Sequence, residues 1–127
     1  MNNAFLHRCV LWILGAGLYA TPVRAQQPAP IGIGEPPERI TLHLAGLTSE
    51  VRDAMARELA INGEAHIAFA CVPAGVIVIE GSSRMNGQQL EQRSRSILTD
   101  RSVRIQRTDL RGSIAQAEAA CAQVRDR

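Results

Sequence analysis

The chain has 127 residues, of which 46% are hydrophobic and only 3% aromatic, and all 14 of its basic residues are arginine. A formal net charge of +2, with the arginines interleaved among acidic and amide side chains, argues against nucleic-acid binding, as does the scarcity of aromatic rings that could stack on bases. This composition predicts one small domain with an aliphatic core.

The first 25 residues have the pattern of a secretory signal peptide. A short segment with one arginine, Met1 to Arg8, precedes an apolar run from Cys9 to Ala20, and Thr21 to Ala25 ends in the small residues that a signal peptidase recognises. The apolar run is shorter than the ~20 residues that a membrane span requires, and no cysteine at the cleavage site offers a lipid attachment point. We therefore predict cleavage after Ala25, no stable membrane anchor, and a periplasmic or secreted location in a bacterium.

Residues 26–37 are rich in proline and glycine, and we predict that they form a flexible linker. The following residues, 38–127, are expected to fold as a single α+β domain. Because Arg8 and Arg24 would leave with the signal peptide, twelve arginines would face twelve carboxylates in the exported protein. Its net charge would then be near zero.

The folded part begins with a predicted strand and helix. Residues 39–47 alternate apolar and polar side chains, as a half-buried strand does. Thr48 or Ser49 is placed to cap the next helix, whose apolar residues recur every four positions until Asn62 and Gly63 end it. The side chains predicted to face the core from these two elements are Ile40, Leu42, Leu44, Val51, Met55 and Leu59.

Two further strands are predicted next in the chain. Residues 65–71 alternate, which predicts that Ile67, Phe69 and Cys71 are buried on one face of the strand. Residues 75–80 are a continuous run of mostly β-branched side chains, typical of a central strand that is covered on both faces. The second-strand residues predicted on the opposite face are His66, Ala68 and Ala70.

The last three predicted elements are a helix, an edge strand and a terminal helix. Residues 88–98 form a helical pattern with an apolar face, and residues 102–107 form a short strand whose polar outer face suits a sheet edge. Ser113 and Gln116 have capping-box spacing at the start of the terminal helix. The resulting β-α-β-β-α-β order predicts a ferredoxin-like sandwich, with an antiparallel sheet, two helices on one face and an extra C-terminal helix.

The triplet Gly46-Leu47-Thr48 ends the first strand and leads directly into the first helix. In this respect residues 39–107 resemble the heavy-metal-associated domains of copper chaperones and metal-transporting ATPases, in which Gly-Met-Thr-Cys-x-x-Cys usually occupies this place. The resemblance implies a ferredoxin-like fold. It does not imply copper binding here, because the two cysteine positions fall on Ser49 and Arg52, which cannot replace two thiolates.

Two cysteines would remain after export, Cys71 in the second strand and Cys121 in the terminal helix. In an oxidising compartment they could form a disulfide that closes a loop of about 50 residues and stabilises the domain by about 2–4 kcal/mol. Two alternatives stay open at this point: two separate buried thiols, or a metal ion shared between them.

His43 and His66 both lie on the strand face opposite the predicted core. In a ferredoxin-like sheet the third strand separates their strands by roughly 9–10 Å, which is too wide for two imidazoles alone to bind one metal ion. With no carboxylate expected at matching strand positions, we predict that both histidines face solvent and that the protein has no metal site and no cofactor.

The sequence carries no diagnostic catalytic motif. Ser82 and Ser83 have no histidine nearby in the sequence, and the glycines within 31–34 precede no strand-to-helix turn. We therefore predict a non-catalytic exported module that binds an unidentified protein partner through a sheet face or an open strand edge. The alternatives are a metal-handling protein and a protease propeptide or inhibitor.

Overall fold

A computed structural model of the chain describes residues 35–127. It has the predicted α+β class, a four-stranded antiparallel sheet and three helices. The predicted signal peptide, 1–25, and most of the predicted linker, 26–37, lie outside the described residues. The elements in chain order are β1 (Arg39–Ala45), α1 (Ser49–Ala60), β2 (Ala65–Cys71), β3 (Val76–Gly81), α2 (Gly87–Leu98), β4 (Arg104–Asp109) and α3 (Ile114–Arg125).

The strands are arranged in the order β2-β3-β1-β4, and every neighbouring pair is antiparallel. The central position predicted for the β-branched run is confirmed, because β3 lies between β2 and β1 and Val76–Ile79 are all buried. The edge position predicted for the last strand is confirmed as well. The element order and strand order are consistent with a ferredoxin-like arrangement.

One face of the sheet packs against α1 and α2 and forms the larger hydrophobic core. The alternation predicted for β1 is confirmed, because Ile40 and Leu42 are fully buried and Leu44 is 4% exposed. Met55 and Leu59 extend from α1 into the same core, as their spacing predicted. The buried residues of this core are Ile40, Leu42, Leu44, Leu47, Met55, Leu59, Ala65, Ile77, Ile79, Leu90, Ile97 and Leu98.

A polar side chain caps the N-terminus of each helix. Thr48 caps α1, since its hydroxyl accepts a hydrogen bond from the Val51 amide at 3.2 Å. A complete capping box, which the sequence analysis did not predict, starts α2 through Asn86 and Gln89. At α3, the Ser113 hydroxyl accepts from the amide of residue 116 at 3.4 Å, which is one half of the capping box predicted there.

A β-bulge in β2 overturns the predicted alternation of that strand. Ile67 pairs with Ile79, but the next pair is Phe69 with Val78, so Ala68 is an extra residue on β2. Side chains alternate along a strand with period two, and one extra residue therefore sends all later side chains to the opposite face. The prediction that Ile67 and Phe69 share a face is wrong for this reason.

The same bulge reverses the predicted positions of the last two residues of β2. Ala70 pairs with Ile77 and packs against the core under α1 and α2, whereas Cys71 pairs with Val76 on the second face. The predicted placement of Cys71 on the core face and of Ala70 on the opposite face is therefore wrong. Cys71 is thereby directed towards α3.

The second face of the sheet carries α3, which packs against β2 and β3. A small cluster fills this contact, in which Val76, Val78 and Ala117 are buried and Phe69 and Ile114 are partly buried. Within residues 35–127, no helix combines the length and apolar character needed to cross a membrane.

Candidate interaction surface

A disulfide between Cys71 and Cys121 joins β2 to α3. The two Cα atoms are 5.8 Å apart, and the residues are 50 positions apart in the sequence. Of the three alternatives for these cysteines, the structure contains the disulfide. The bulge at Ala68 makes this bond geometrically accessible, since a regular strand would direct residue 71 towards α1 and α2.

The part of the second face formed by β1 and β4 lies beside α3. Here His43 pairs with Arg107, and Ala45 pairs with Arg104. Both arginines are exposed and the other two residues are half-buried. We call these four residues the open strip, because they form an accessible part of a sheet face whose other half α3 covers.

A second bulge determines which side chains reach the open strip. Leu44 pairs with Ile105 and His43 pairs with Arg107, so Gln106 is the extra residue on β4. In a regular strand, residues three positions apart face opposite sides. The bulge therefore brings Arg107 onto the same face as Arg104, which is the face opposite the core under α2.

Two residues of the open strip, His43 and Arg107, lie in close contact with each other and with the carboxylate of Asp109. Arg107 Nη2 lies 2.8 Å from His43 Nε2 and 3.0 Å from Asp109 Oδ2, and His43 Nε2 lies 3.1 Å from the same carboxylate oxygen. Partial burial raises the pKa of Asp109, but the hydrogen bonds from His43 and Arg107 outweigh this effect and the pKa is lowered. Asp109 therefore neutralises part of the positive charge on the strip.

Of the two histidines, His66 faces solvent as predicted, with 62% of its side chain exposed, whereas His43 is partly buried. The side chain of His43 is only 25% exposed and contacts Asp109, while His66 lies opposite Glu80, with its Nε2 3.9 Å from a carboxylate oxygen. The prediction that no carboxylate occupies a matching strand position is wrong for His66, whereas Asp109 reaches His43 from the position opposite Thr41. His43 pairs with Val76, so the histidines are four residues apart along β3 as well as separated by that strand.

The described residues also bear on the expected metal chemistry. Within 35–127, no group of three or more histidine, cysteine or acidic side chains is arranged to hold a metal ion. In the segment that resembles the metal-binding loop, Ser49 is the first residue of α1, and Arg52 forms an ion pair with Asp53 at 2.7 Å. Metal handling and protease inhibition both stay predictions, and so does the expectation that no cofactor is bound.

Two adjoining surface depressions lie next to β4 and are lined by arginine. One, of about 640 Å³, is at the end of the sheet, and the other, of about 360 Å³, is between α2 and β4. Arg101, Val103 and Arg104 line both depressions, and Arg95 lines the second. No carboxylate lines either depression.

The sequence pattern predicted dispersed arginines, and this cluster was therefore not expected. The available signal was the segment RSVRIQR, in which Arg101, Arg104 and Arg107 recur at every third position without an intervening acidic residue. Arg95 joins two of these arginines only through the packing of α2 beside β4. The two depressions border the open strip, since Ala45 and Arg104 line the larger one.

A third depression, of about 510 Å³, includes Ser82 and Ser83, the serines considered for catalysis. It lies between the loop after α1 and the loop before α2, and Glu64 and Arg84 also line it. No histidine is among its lining residues, so it does not contain the imidazole base that usually activates a serine nucleophile. The expectation that the protein is not an enzyme stays a prediction.

Comparison of the chain with protein-family models, with curated proteins and with solved structures finds no match. The resemblance to heavy-metal-associated domains therefore stays a prediction that rests on residues 46–48 and on the order of the elements.

Proposed function

We propose that residues 38–127 form an exported, non-catalytic module of ferredoxin-like fold that binds another protein through the open strip and the adjacent edge of β4. The observation that carries this proposal is the division of the second sheet face. The helix α3 packs against β2 and β3, whereas Arg104 and Arg107 are exposed on the neighbouring half. An accessible sheet face beside an edge strand is a common docking site for protein segments.

The bulge at Gln106 supports this assignment of the surface. Bulges at sheet edges change the direction of side chains and are frequent near functional sites. Here the extra residue gives both arginines the same orientation, which a regular six-residue strand would not do. The group formed by His43, Arg107 and Asp109 then restricts the conformation of the second guanidinium.

Two features support export of the module to the periplasm or the extracellular space. The first is the signal-like composition of residues 1–25. The second is the disulfide between Cys71 and Cys121, because such bonds persist in oxidising compartments and are rare in the cytosol. Both features agree with the predicted location.

Site-specific photo-crosslinking in cells that express the full chain tests the proposed surface. A photoreactive amino acid at Gln106, which is exposed on β4, is expected to yield a discrete adduct with another protein after irradiation. The same substitution at Gln92, exposed on α2, serves as the matched control and is expected to yield little or none. Equal adducts at both positions, or none at Gln106, would contradict the proposal.

A folding control accompanies both substitutions. Each variant is purified and analysed by mass spectrometry with and without reduction, which shows whether the disulfide between Cys71 and Cys121 has formed. A variant that retains the disulfide and the wild-type melting temperature reports on binding rather than on folding.

A further inference from the structure

We infer that the partner presents an acidic, extended segment, and that Arg95, Arg101 and Arg104 bind its carboxylates. This inference rests on the proposed function and specifies the chemistry of the partner. We call these three residues the arginine surface. They line the two depressions beside β4 and approach the open strip at Arg104.

The charge balance around β4 favours an anionic partner. Residues 84–111 contain seven arginines but only three acidic side chains. Glu91 pairs with Arg95 at 2.7 Å, and Asp109 pairs with Arg107 at 3.0 Å, so two of the three carboxylates are already engaged. The excess positive charge is therefore available to an external acidic group.

Two members of the arginine surface, Arg101 and Arg104, form no ion pair within the described residues. The guanidinium of Arg101 donates to the carbonyl oxygen of Ile97, which holds its side chain near the end of α2. Guanidinium groups bind carboxylates through two parallel hydrogen bonds, which makes carboxylate-bearing side chains suitable ligands here.

The shape of the surface favours an extended segment over a compact ligand. Both depressions are lined by Val103 and Arg104 at the start of β4, whose outer edge has no neighbouring strand in the sheet. Edge strands can pair with an added strand, and arginines on an edge disfavour strands that bring no opposite charge. An acidic strand could pair with the edge of β4 and would also bring charge opposite to that of the arginines.

Nucleic acid and membrane lipid fit this surface less well than an acidic protein segment does. Phe69 is the single aromatic residue within 35–127, and it packs beneath α3, where it cannot stack on a base. Anionic membranes typically attract clusters of about four to eight basic residues. The arginine surface has three, on an exported chain whose overall charge is near zero.

Fluorescence anisotropy with synthetic peptides tests the inference. The probe is a labelled peptide of about ten residues that alternates glutamate and threonine, and its control replaces each glutamate with glutamine. The glutamate peptide is expected to bind the processed protein at about 50 mM NaCl and to bind more weakly at about 300 mM, because salt screens exposed charges. Equal binding of the two peptides would overturn the inference.

Charge reversal at Arg104 tests which residue binds the peptide. R104E is expected to weaken binding of the glutamate peptide by about fivefold or more, and R104Q by a smaller factor. R57E is the matched control, since Arg57 is also exposed but lies on α1. An identical effect of R104E and R57E, with both proteins folded, would show that the arginine surface is not the binding site.

The crosslinking experiment separates failure of this inference from failure of the proposed function. If Gln106 gives a specific adduct and the crosslinked partner segment proves neutral or basic by mass spectrometry, the interaction function stands and the acidic partner is excluded. An acidic crosslinked segment whose yield falls in R104E supports the inference. If Gln106 gives no adduct, the proposed function itself fails.

Discussion

Gly75, in the turn between β2 and β3, shows how one residue limits the fold. Its φ of +65° lies in the left-handed region, and a Cβ at this position would lie 2.3 Å from the carbonyl oxygen of Leu44. The Gly75 carbonyl also accepts a hydrogen bond from the Leu44 amide at 2.7 Å. The turn therefore contacts β1 through backbone atoms that leave no room for a side chain.

We predict that G75A destabilises the domain much more than G63A. Gly63 has a similar φ of +62°, but a Cβ there meets no atom within 4 Å. G63A should lower the free energy of unfolding by about 1 kcal/mol from backbone conformation alone, and G75A by about 1–3 kcal/mol more because Leu44 must move. Urea unfolding followed by circular dichroism measures both values. Equal losses of unfolding free energy in the two variants would contradict a steric contact between residue 75 and Leu44.

Glu91 on α2 connects that helix to β4 and contributes to stability in a pH-dependent way. Its carboxylate accepts from Arg95 Nη2 at 2.7 Å and from the Thr108 hydroxyl at 3.0 Å. The hydrogen bond from Arg95 and then that from Thr108 lower the pKa of Glu91 below its ordinary value of 4.5. Because the folded-state pKa is lowered, the stabilisation is present above the unfolded pKa and is lost as the pH falls through the folded pKa.

We accordingly predict that E91Q is less stable than the wild type at pH 7, by about 0.5–1 kcal/mol. The difference between the two proteins should shrink as the pH falls below about 4.5, where protonation of Glu91 removes the advantage of the carboxylate. Urea unfolding at a series of pH values measures this difference. A difference that is constant from neutral to acidic pH would exclude the carboxylate as its source.

At the scale of elements, α3 buries fewer residues than α1 or α2 and is joined to the sheet by the disulfide. Ala117 is the only buried residue of α3, whereas α2 buries five residues. The small side chains of α3 remove little apolar surface from water, and hydrophobic burial alone therefore stabilises its position weakly. The covalent bond from Cys121 to β2 compensates for this weak packing.

We predict that the double variant C71A/C121A loses about 2–4 kcal/mol of folding stability, because it no longer closes the loop of 50 residues. The loss of amide protection should be concentrated in α3. Hydrogen exchange measured by mass spectrometry is expected to show faster exchange in α3, with α1 and α2 much less affected. An equal increase in exchange rate in all three helices would contradict the prediction that loss of the disulfide mainly frees α3 from the sheet.

At the scale of the whole molecule, hydrophobic periodicity was sufficient to predict every element and the central and edge positions of β3 and β4. Periodicity works here because each amphipathic element must bury its apolar side against the same core. It could not predict the two bulges. An extra residue such as Ala68 or Gln106 is visible only when a strand is compared with its partner, and the partner is set by the fold.

The proposed interaction surface depends on these bulges. Alternation within β4 alone would place Arg107, three positions after Arg104, on the opposite face of the sheet. The pairing with β1 reverses that position for Arg107. The approach of Arg95 to β4 likewise depends on how α2 packs, which is a contact between distant parts of the sequence.

The amino-acid sequence by itself determined the helices and strands, their order and the core residues of β1 and α1, because local periodicity and capping residues encode them. Only the tertiary structure decided that Cys71 faces Cys121 and that the arginines beside β4 converge. The physical reason is the register of strand pairing. A shift of one residue between neighbouring strands changes the face of every later side chain, and no single strand contains that information.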